Sequence, residues 1–369
     1  MSLVRKRILK NEIQNTISDR IINIRPKWRS RIYAIIGLSI AVIVVVAIAT
    51  TIGSVKIPFL TTLRILISQL PFINFSPDWT GSTETILLNI RLPRIIFAGL
   101  VGAALSVAGA TYQGLFRNPL ADPYLIGAAQ GAALGAVIGF LLPVEFSAMG
   151  FGLIPILAFT GAIVSVAIVY ILARVGKTVP VTTLILAGVA LGALWGSIYS
   201  YLIITSGDKI HGIIFWVMGS FSLSDWSEVG VVLPYIAIGI VVILLYSRSL
   251  NVMQLDEEQA KQLGINVERT KLVLLAASTL ITAASVSFVG TIGFVGIIIP
   301  HAVRLVWGPD HRFLLPLSVL TGAMFMILAD LIARTVMAPT EIPIGIITAI
   351  CGVPFFLYLL RRRKGIIYF

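Results

Sequence analysis

Gly176-Lys177-Thr178 is the stretch of this 369-residue sequence that comes nearest to a nucleotide-binding motif. In a phosphate-binding loop, backbone amides surround the phosphates and a lysine contacts them, but the motif also needs a glycine five residues before Gly176. Ile171 occupies that position, and the triplet follows an apolar stretch of helical length instead of a strand. We therefore expect no ATPase chemistry in this chain.

The sequence also lacks the groups of residues that metal binding and redox chemistry need. The histidines His211, His301 and His311 lie far apart without HExxH spacing, and Cys351 is the single cysteine. A zinc site needs several such ligands together, and a disulfide needs two cysteines. The sequence predicts no catalytic residue, no metal ligand and no bound cofactor.

Asp330 is the one acidic residue that falls deep within a long apolar segment. At such a depth in a membrane, a carboxylate belongs either to an ion or proton pathway or to an ion pair. Arg334 follows four residues later, a spacing that places both side chains on one helical face. A local ion pair is the favoured interpretation, and a proton relay is the alternative.

The overall composition is that of a membrane protein. Hydrophobic residues make up 57% of the chain and charged residues 12%, with a mean hydropathy of +0.98. This composition is too apolar for a water-soluble globular protein. The formal net charge is +12, but the basic residues form short clusters between apolar runs. Because they are not interleaved with aromatic residues, we expect no nucleic acid as a partner.

Ten apolar segments follow a basic N-terminal region, residues 1–31, whose apolar residues are spaced as one face of a helix. We expect this region to lie on the cytoplasmic membrane surface and residues 32–369 to form the transmembrane domain. Most segments have the roughly 17–25 residues needed to cross the hydrocarbon core, so the predicted fold is an all-α bundle of about ten transmembrane helices. The segments are Ile32–Ile52, Ile95–Gly114, Leu125–Leu142, Leu153–Ala173, Leu184–Ile204, Val229–Tyr246, Leu272–Ile292, Phe294–Val306, Leu314–Ile332 and Ile342–Leu360.

The basic residues also predict the orientation. With ten crossings both termini lie on one side, and 22 of the 28 lysines and arginines fall on that side. Positive residues are enriched in cytoplasmic loops, so we expect both termini in the cytoplasm. The six basic residues on the other side are Lys56, Arg64, Arg91, Arg94, Lys209 and Arg334.

Glycines recur at every fourth position in the third and fifth segments. This spacing lets helix backbones approach closely in a membrane. Tight internal packing is one interpretation, and the other is that the fifth helix lines a pathway for a bulky solute. The pathway candidates are Gly188, Gly192, Gly196 and Ser200.

Two further patterns concern the eighth segment and the stretch before it. The segment is short and begins beside Gly293 and Gly296, which indicates a bent or broken helix. Ser106–Pro119 and Ser287–Pro300 share a serine, a glycine, a threonine and a proline at a constant offset of 181 residues. Because the two stretches run in opposite directions in the predicted topology, they suggest an inverted repeat, an arrangement found in transporters.

Six stretches are specific enough to compare with a known family: RLPR at 91–94, NPLADP at 118–123, LILAGVALG at 184–192, IGFVGIIIPHAVRL at 292–305, GPDHRFLLP at 308–316 and EIPIG at 341–345. In this order they resemble the FecCD/BtuC family of ABC-importer permeases. The resemblance runs from Arg91 to Lys364, and the first ninety residues match only in hydropathy. It implies a BtuC-like fold in the cytoplasmic membrane of a prokaryote.

The resemblance also implies partners and a substrate class. A second permease copy, identical or similar, would enclose a central pathway, with two cytoplasmic ABC ATPase subunits beneath and an extracytoplasmic substrate-binding protein outside. The expected substrate is a bulky metal chelate, with a ferric siderophore or a cobalamin-type corrinoid favoured over haem. A gradient-driven secondary transporter is the alternative from another class.

In this family the cytoplasmic loop after the sixth span contacts the ATPase, and here that loop is Asn251–Lys271. Acidic residues are favoured at a helix start, and a glycine can adopt a left-handed cap at its end. A solvated charged loop is the alternative interpretation. The residues to which the resemblance gives a coupling role are Asp256, Glu257, Glu258, Ala260, Leu263 and Gly264.

The inner gate of the family corresponds to Asn118, Leu120, Thr182 and Thr183, with Val181 as an alternative at one position. An Asn-Pro turn between two helices can move at little cost in hydrogen bonds, which suits a gate.

The outer docking site for the binding protein corresponds to Arg91, Arg94 and Arg334. In the family, arginines at these positions pair with glutamates of the binding protein. The alternatives are that Arg334 only balances Asp330, and that Arg91 and Arg94 only anchor a helix end among lipid headgroups.

Overall fold

A computed structural model describes residues 28–53, 55–69, 78–143, 147–148 and 151–363. Within these ranges the protein is helical apart from loops and one two-stranded antiparallel pair, Ser147–Ala148 with Phe151–Gly152. The predicted all-α fold class is confirmed. Most of the predicted surface helix at residues 1–31 lies outside the described residues, and its last four residues already belong to the first helix.

Fifteen α-helices follow one another in the described part of the chain. A π-helical segment, Ile86–Arg91, joins α3 to α4, and short 3-10 turns lie at Pro123–Ile126 and Gly207–Lys209. The helices are α1 Trp28–Thr51, α2 Phe59–Ser68, α3 Gly81–Thr85, α4 Leu92–Leu115, α5 Ala128–Leu141, α6 Leu153–Ala173, α7 Val181–Ile204, α8 Ile210–Met218, α9 Trp226–Leu245, α10 Ser247–Val252, α11 Glu257–Gln262, α12 Val267–Val289, α13 Val295–Trp307, α14 His311–Thr335 and α15 Ile344–Arg363.

All ten predicted apolar segments are helical. Seven belong to helices that are long and apolar enough to cross a membrane, namely α1, α4, α6, α7, α9, α12 and α14. The other three lie in α5, α13 and α15, so the prediction of about ten membrane helices is confirmed. The hydropathy pattern did not predict α2 and α8, because both are short and lie in the connections.

Helix α4 lies at the centre of the bundle and packs against α12, α13 and α14. It can do so because its surface carries small residues. A side chain at Gly102 would overlap the backbone of Gly322 in α14, and one at Gly109 would overlap the backbone of Gly296 in α13. In a membrane, such close approach maximises the dispersion contacts that hold helices together.

The glycines of the third predicted segment serve the same purpose between α5 and α6. A side chain at Gly131 would overlap the backbone of Gly161, and one at Gly135 would overlap that of Leu157. Tight packing is thus confirmed as the role of these glycines.

The predicted helix break before α13 is also confirmed. Helix α12 ends at Gly290, whose φ is 76°, and α13 begins after Phe294, whose φ is 71°. The Tyr124 hydroxyl accepts from the Ile292 backbone N–H at 3.0 Å and donates to its carbonyl at 3.1 Å. Because Ser106–Pro119 is helical to Leu115 and Ser287–Pro300 is broken in its middle, the two stretches differ in conformation. The inverted repeat stays a prediction.

Candidate functional site

The loop between α9 and α12 contains two short helices, α10 and α11. Asp256 caps the start of α11 by accepting from the Glu257 backbone N–H at 2.9 Å. At the other end Gly264 has a φ of 83°, and the Ile265 N–H donates to the Ala260 carbonyl at 3.0 Å. The predicted left-handed cap at Gly264 is confirmed, and a glycine is favoured there because other residues rarely adopt positive φ.

The predicted coupling residues divide into a buried and an exposed set. Ala260 is fully buried and fixes α11 against the core. Asp256, Glu258 and Leu263 are exposed, and 63% of the Leu263 surface is accessible. The loop therefore presents an acidic and partly apolar outer surface while its inner side is anchored in the bundle.

The NPLA turn follows the end of α4 and is held by its own hydrogen bonds. The Asn118 side-chain oxygen accepts from the Leu120 N–H at 2.9 Å, and the Asn118 N–H donates to the Gln113 carbonyl at 3.2 Å. Arg117 has a φ of 49°, which turns the chain out of the helix. Leu120 is 42% exposed, so an apolar side chain projects from a polar turn.

Direct contacts join this turn to the coupling loop. Arg117 Nη1 donates to the Leu255 carbonyl at 3.3 Å and lies 3.7 Å from Asp256 Oδ1. Gln254 Nε2 donates to the Gly114 carbonyl, at the end of α4, at 2.9 Å. The loop thus contacts the residues directly before the turn, at the end of α4.

The second predicted gate segment lies at the start of α7. Thr183 Oγ1 contacts the carbonyl oxygens of Ala173 and Pro180, both at 2.9 Å, and so holds the start of α7 against the end of α6. Thr182 is exposed, whereas Val181 packs partly buried against the core. Of the two candidates for the open position, Thr182 is therefore the more accessible.

A buried lysine joins the coupling loop to this second segment. Lys271 is 5% exposed, and its Nζ lies 2.8 Å from Glu257 Oε1 and 3.4 Å from Glu268 Oε1. The same Nζ donates to the Val179 carbonyl at 3.3 Å, and Glu268 Oε2 accepts from the Val179 N–H at 3.1 Å. Val179 lies two residues before the start of α7, so the loop is also joined to the chain that leads into the second gate segment.

Sequence reasoning missed Arg117, Glu268 and Lys271. Arg117 had a signal, because it directly precedes the NPLA motif. Lys271 had a weaker one, since a lysine directly before an apolar segment must find a polar partner once its helix packs. Neither signal identified the partner residues.

A compact cluster of charges surrounds Arg94. The Arg94 guanidinium donates to Asp330 at 2.8, 3.0 and 3.2 Å and to Glu341 at 2.7 and 3.0 Å. Its side chain is 11% exposed and that of Asp330 is 2% exposed. Asp330 also lies 3.7 Å from Arg334, so the predicted pair exists, but Arg94 is the closer partner.

The other two arginines of the predicted docking site are bound by backbone carbonyls. Arg91, only 5% exposed, donates to Thr50 at 3.0 Å, to Thr51 at 3.1 Å and to Val55. Arg334 donates to the Ala49 carbonyl at 2.5 Å. Both side chains therefore fix the end of α1 and the loop after it.

These groups border a pocket of about 350 Å³ that is lined by Arg91, Arg94, Arg334 and Glu341. Burial by itself raises the pKa of Glu341, but the hydrogen bonds and charge of Arg94 outweigh burial, so the pKa lies below its ordinary value. Three arginines thus face two carboxylates, Asp330 and Glu341, and the cluster has an excess positive charge. The structure brings the predicted docking residues together, but largely buried and with internal partners.

The pathway candidates on α7 differ in their surroundings. A side chain at Gly188 would overlap the Leu125 backbone, and Gly192 is buried against Gln130. Gly188 therefore serves helix packing, and the assignment of Gly188 and Gly192 to a pathway surface stays a prediction. Gly196 is partly accessible and Ser200 is exposed, so both keep that assignment as a proposal.

Comparison with known proteins adds independent findings. The model of the FecCD transport family matches residues 41–362. The chain is 48% identical, over 77% of its length and 75% of the relative's, to the cobalamin import system permease protein BtuC of Halobacterium salinarum. It is 43% identical, over 92% of its length and 97% of the relative's, to the uncharacterized ABC transporter permease protein YvrB of Bacillus subtilis.

A solved structure supports the same relationship. It is described as an inward-facing conformation of a proposed metal-chelate type ABC transporter, and it matches with a TM-score of 0.76 at 32% identity. The match covers 89% of this chain and 98% of the other. The likeness therefore extends over nearly all of the described bundle.

Proposed function

Because this chain belongs to the FecCD transport family, we propose that it is the permease subunit of an ABC importer for a bulky metal chelate. ATP is hydrolysed by a separate cytoplasmic subunit, present in two copies, and a second permease copy completes the pathway. Helix α7 supports pairing with another copy, because it is apolar along its length and most of its surface is exposed.

One observation supports the mechanism: polar groups join the coupling loop to the residues directly before both gate segments. Arg117 and Gln254 join it to the NPLA turn, while Lys271 joins it to the start of α7. A displacement of α11 by the ATPase would therefore reach both segments. The exposed Asp256, Glu258 and Leu263 form the surface that would contact the ATPase.

Removing the ammonium of Lys271 tests this mechanism. In the assembled complex, Lys271→Met keeps the aliphatic stem but separates Glu257 from Val179. We expect uptake of radiolabelled cyanocobalamin to fall at least tenfold while ATP hydrolysis by the complex continues. The measurement is the number of substrate molecules imported per ATP hydrolysed.

Lys261→Met is the matched control, because Lys261 is exposed in the same loop and forms no ion pair in the described part of the chain. This variant should keep the wild-type ratio. If Lys271→Met also keeps it, the loop does not act on the gate through this lysine. Uptake that persists with a hydrolysis-deficient ATPase would instead support a gradient-driven transporter.

The orientation follows from the distribution of basic residues and has its own test. The coupling loop and both termini would lie in the cytoplasm, with the Arg94 cluster on the outer side. A reporter that is active only in the cytoplasm should work when inserted at Lys261 and fail at Lys209. Activity at Lys209 would reverse the assignment of α7 and α9.

We propose that the arginine cluster receives an acidic side chain of the binding protein. The support is its excess positive charge and the pocket of about 350 Å³. Docking would require Arg91 or Arg334 to exchange a backbone carbonyl for a carboxylate, which is a stronger hydrogen-bond acceptor. Arg94 is the least suited to such an exchange because it already has two carboxylate partners.

The Arg91→Gln variant tests this role. Its affinity is measured by titrating the cognate binding protein against the complex in nanodiscs. We expect affinity to fall roughly tenfold, and the wild-type affinity to decrease as salt shortens the Debye length from about 10 Å at 0.1 M. Arg64→Gln removes a charge from an exposed pair and should leave affinity unchanged. If Arg91→Gln and Arg64→Gln bind the binding protein with equal affinity, Arg91 only anchors the end of α1 and the loop after it.

The substrate is proposed from similarity alone. The 48% identity to a cobalamin permease favours a cobalamin-type corrinoid among the metal chelates. A ferric siderophore and haem remain the other members of the class. Ferrichrome and hemin, added as competitors of labelled cyanocobalamin uptake, would rank the three substrates. If another chelate is taken up and cyanocobalamin does not inhibit that uptake, this chelate replaces the corrinoid as the proposed substrate.

A further inference from the structure

An apolar groove lies between α6, α9 and α12, and its lining includes no residue of the gate segments or of the arginine cluster. Its volume is about 740 Å³, and its lining is almost entirely aliphatic. Along α12 the lining extends from Leu272 to Leu280, about 12 Å at 1.5 Å per residue. One leaflet of the hydrocarbon core is about 15 Å thick, so the groove spans most of a leaflet.

The end of the groove farther from the start of α12 is closed by helix packing. A side chain at Gly239 of α9 would overlap Ile281 of α12, so these two helices touch just beyond Leu280. The other end, near Leu272, is where α12 begins and where α6 and α9 end. Leu272 and Ile171 are 47% and 70% exposed there, so the groove is accessible from the lipid phase.

Three exposed arginines follow or begin the helix ends that meet at this end of the groove. On α6 the lining residues Ile163, Ala167 and Ile171 are spaced by four. Arg174 follows Ile171 by three residues and lies just past the end of the helix. On α12, Arg269 precedes the lining residue Leu272 by three positions and shares its face.

The third arginine, Arg248, lies in α10, which begins two residues after α9 ends. In the part of the chain that the structure describes, none of the three arginines forms an ion pair with a carboxylate. Arg174 donates only to the nearby Gly176 carbonyl, through Nε. Three exposed positive charges without a carboxylate partner thus lie in the segments that adjoin this end of the apolar groove.

We propose that this groove is a binding site for an anionic phospholipid. An acyl chain occupies the aliphatic groove, and the phosphate lies among Arg174, Arg248 and Arg269. Basic clusters between transmembrane helices at a membrane surface bind anionic headgroups, and arginine matches the geometry of phosphate through its paired N–H groups. Zwitterionic bulk lipid fills the groove equally well but does not balance the three charges.

Native mass spectrometry of the full-length protein, extracted from membranes and delipidated, tests the proposal. The probes are phosphatidylglycerol and phosphatidylcholine with identical acyl chains. We expect wild-type protein to bind phosphatidylglycerol at least tenfold more tightly. Replacing all three arginines by glutamine should reduce this preference to about one, without changing phosphatidylcholine binding.

Two further variants separate the headgroup from the groove. Ala276→Phe places a ring in the groove and should weaken both lipids, whereas Arg361→Gln, an exposed charge at the end of α15, should weaken neither. Because the three arginines are exposed, their substitution leaves the packed core intact and the comparison holds even if Ala276→Phe is unstable.

The proposal is overturned if wild-type protein shows no preference for phosphatidylglycerol, or if the triple arginine variant keeps it. If the triple arginine variant keeps the lipid preference but no longer co-purifies with the ATPase, the arginines contact the ATPase instead of a lipid. Neither result depends on transport, so the lipid site and the proposed import function can fail independently.

Discussion

The arginine cluster and the coupling region both join distant parts of the chain by charged groups, but they do so differently. Arg94 makes five hydrogen bonds to two carboxylates and exposes 11% of its side chain. Arg117 lies 3.7 Å from Asp256, and both side chains are about half exposed, at 44% and 59%. The cluster connects two long helices, whereas the coupling contacts connect turns and short helices.

The difference indicates which region can move. Separating buried charges leaves them without water or a partner, at a large cost in free energy. Separating an exposed pair costs about 1 kcal/mol or less, because water replaces the partner. We therefore expect the cluster to hold α4 and α14 together throughout transport, while contacts of the coupling loop break and re-form. Lys271 is the exception in the coupling region, since it is buried.

Arg94→Met should have the largest effect on stability. It leaves Asp330 as a buried carboxylate whose remaining partner, Arg334, is 3.7 Å away. We expect the free energy of unfolding in detergent to fall by about 3–5 kcal/mol. Arg64→Met removes one member of an exposed pair with Asp78 and should cost at most about 1 kcal/mol. Equal losses would show that burial does not distinguish the two regions.

Gly264→Pro should have the next largest effect, and on transport more than on stability. Proline fixes φ near −65°, which is incompatible with the observed 83°. Uptake should be abolished while the protein still reaches the membrane. Gly264→Ala should cost about 1–2 kcal/mol and keep partial uptake, because alanine tolerates positive φ at that cost. Normal uptake with Gly264→Pro would remove the loop from the mechanism.

Thr183→Val removes the two contacts that hold the start of α7 to the end of α6. We expect the free energy of unfolding to fall by about 1 kcal/mol. We also expect more substrate to leak from proteoliposomes in the absence of ATP. Thr182→Val changes an exposed hydroxyl at the adjacent position and should change stability little. If Thr182→Val leaks more than Thr183→Val, the gate depends on the exposed side chain and not on the anchored one.

Asp256→Asn should have the smallest effect. The side chain can still cap α11, so within this chain only the exposed pair with Arg117 is weakened, by about 0–1 kcal/mol. Uptake should change less than twofold and should become less sensitive to salt. A loss as large as that of Lys271→Met would mean that the exposed contact, and not the buried lysine, transmits the motion.

The sequence predicted much of the fold because the relevant signals are local. Long apolar segments predicted all ten membrane helices, and Gly293 with Gly296 indicated the break before α13. The cap at Gly264 also follows from neighbouring residues alone. The role of the α7 glycines was ambiguous for the same reason, since their spacing permits both packing and a pathway.

What the sequence by itself determined is the class of protein, its long apolar helices and the cap at Gly264, because hydropathy and backbone preference act over a few residues. The tertiary structure alone decided the distant partners of the charged groups. Arg94 and Asp330 are separated by 236 residues, and Lys271 and Val179 by 92. A charge that becomes buried needs a partner, but helix packing decides which distant residue comes within hydrogen-bond distance.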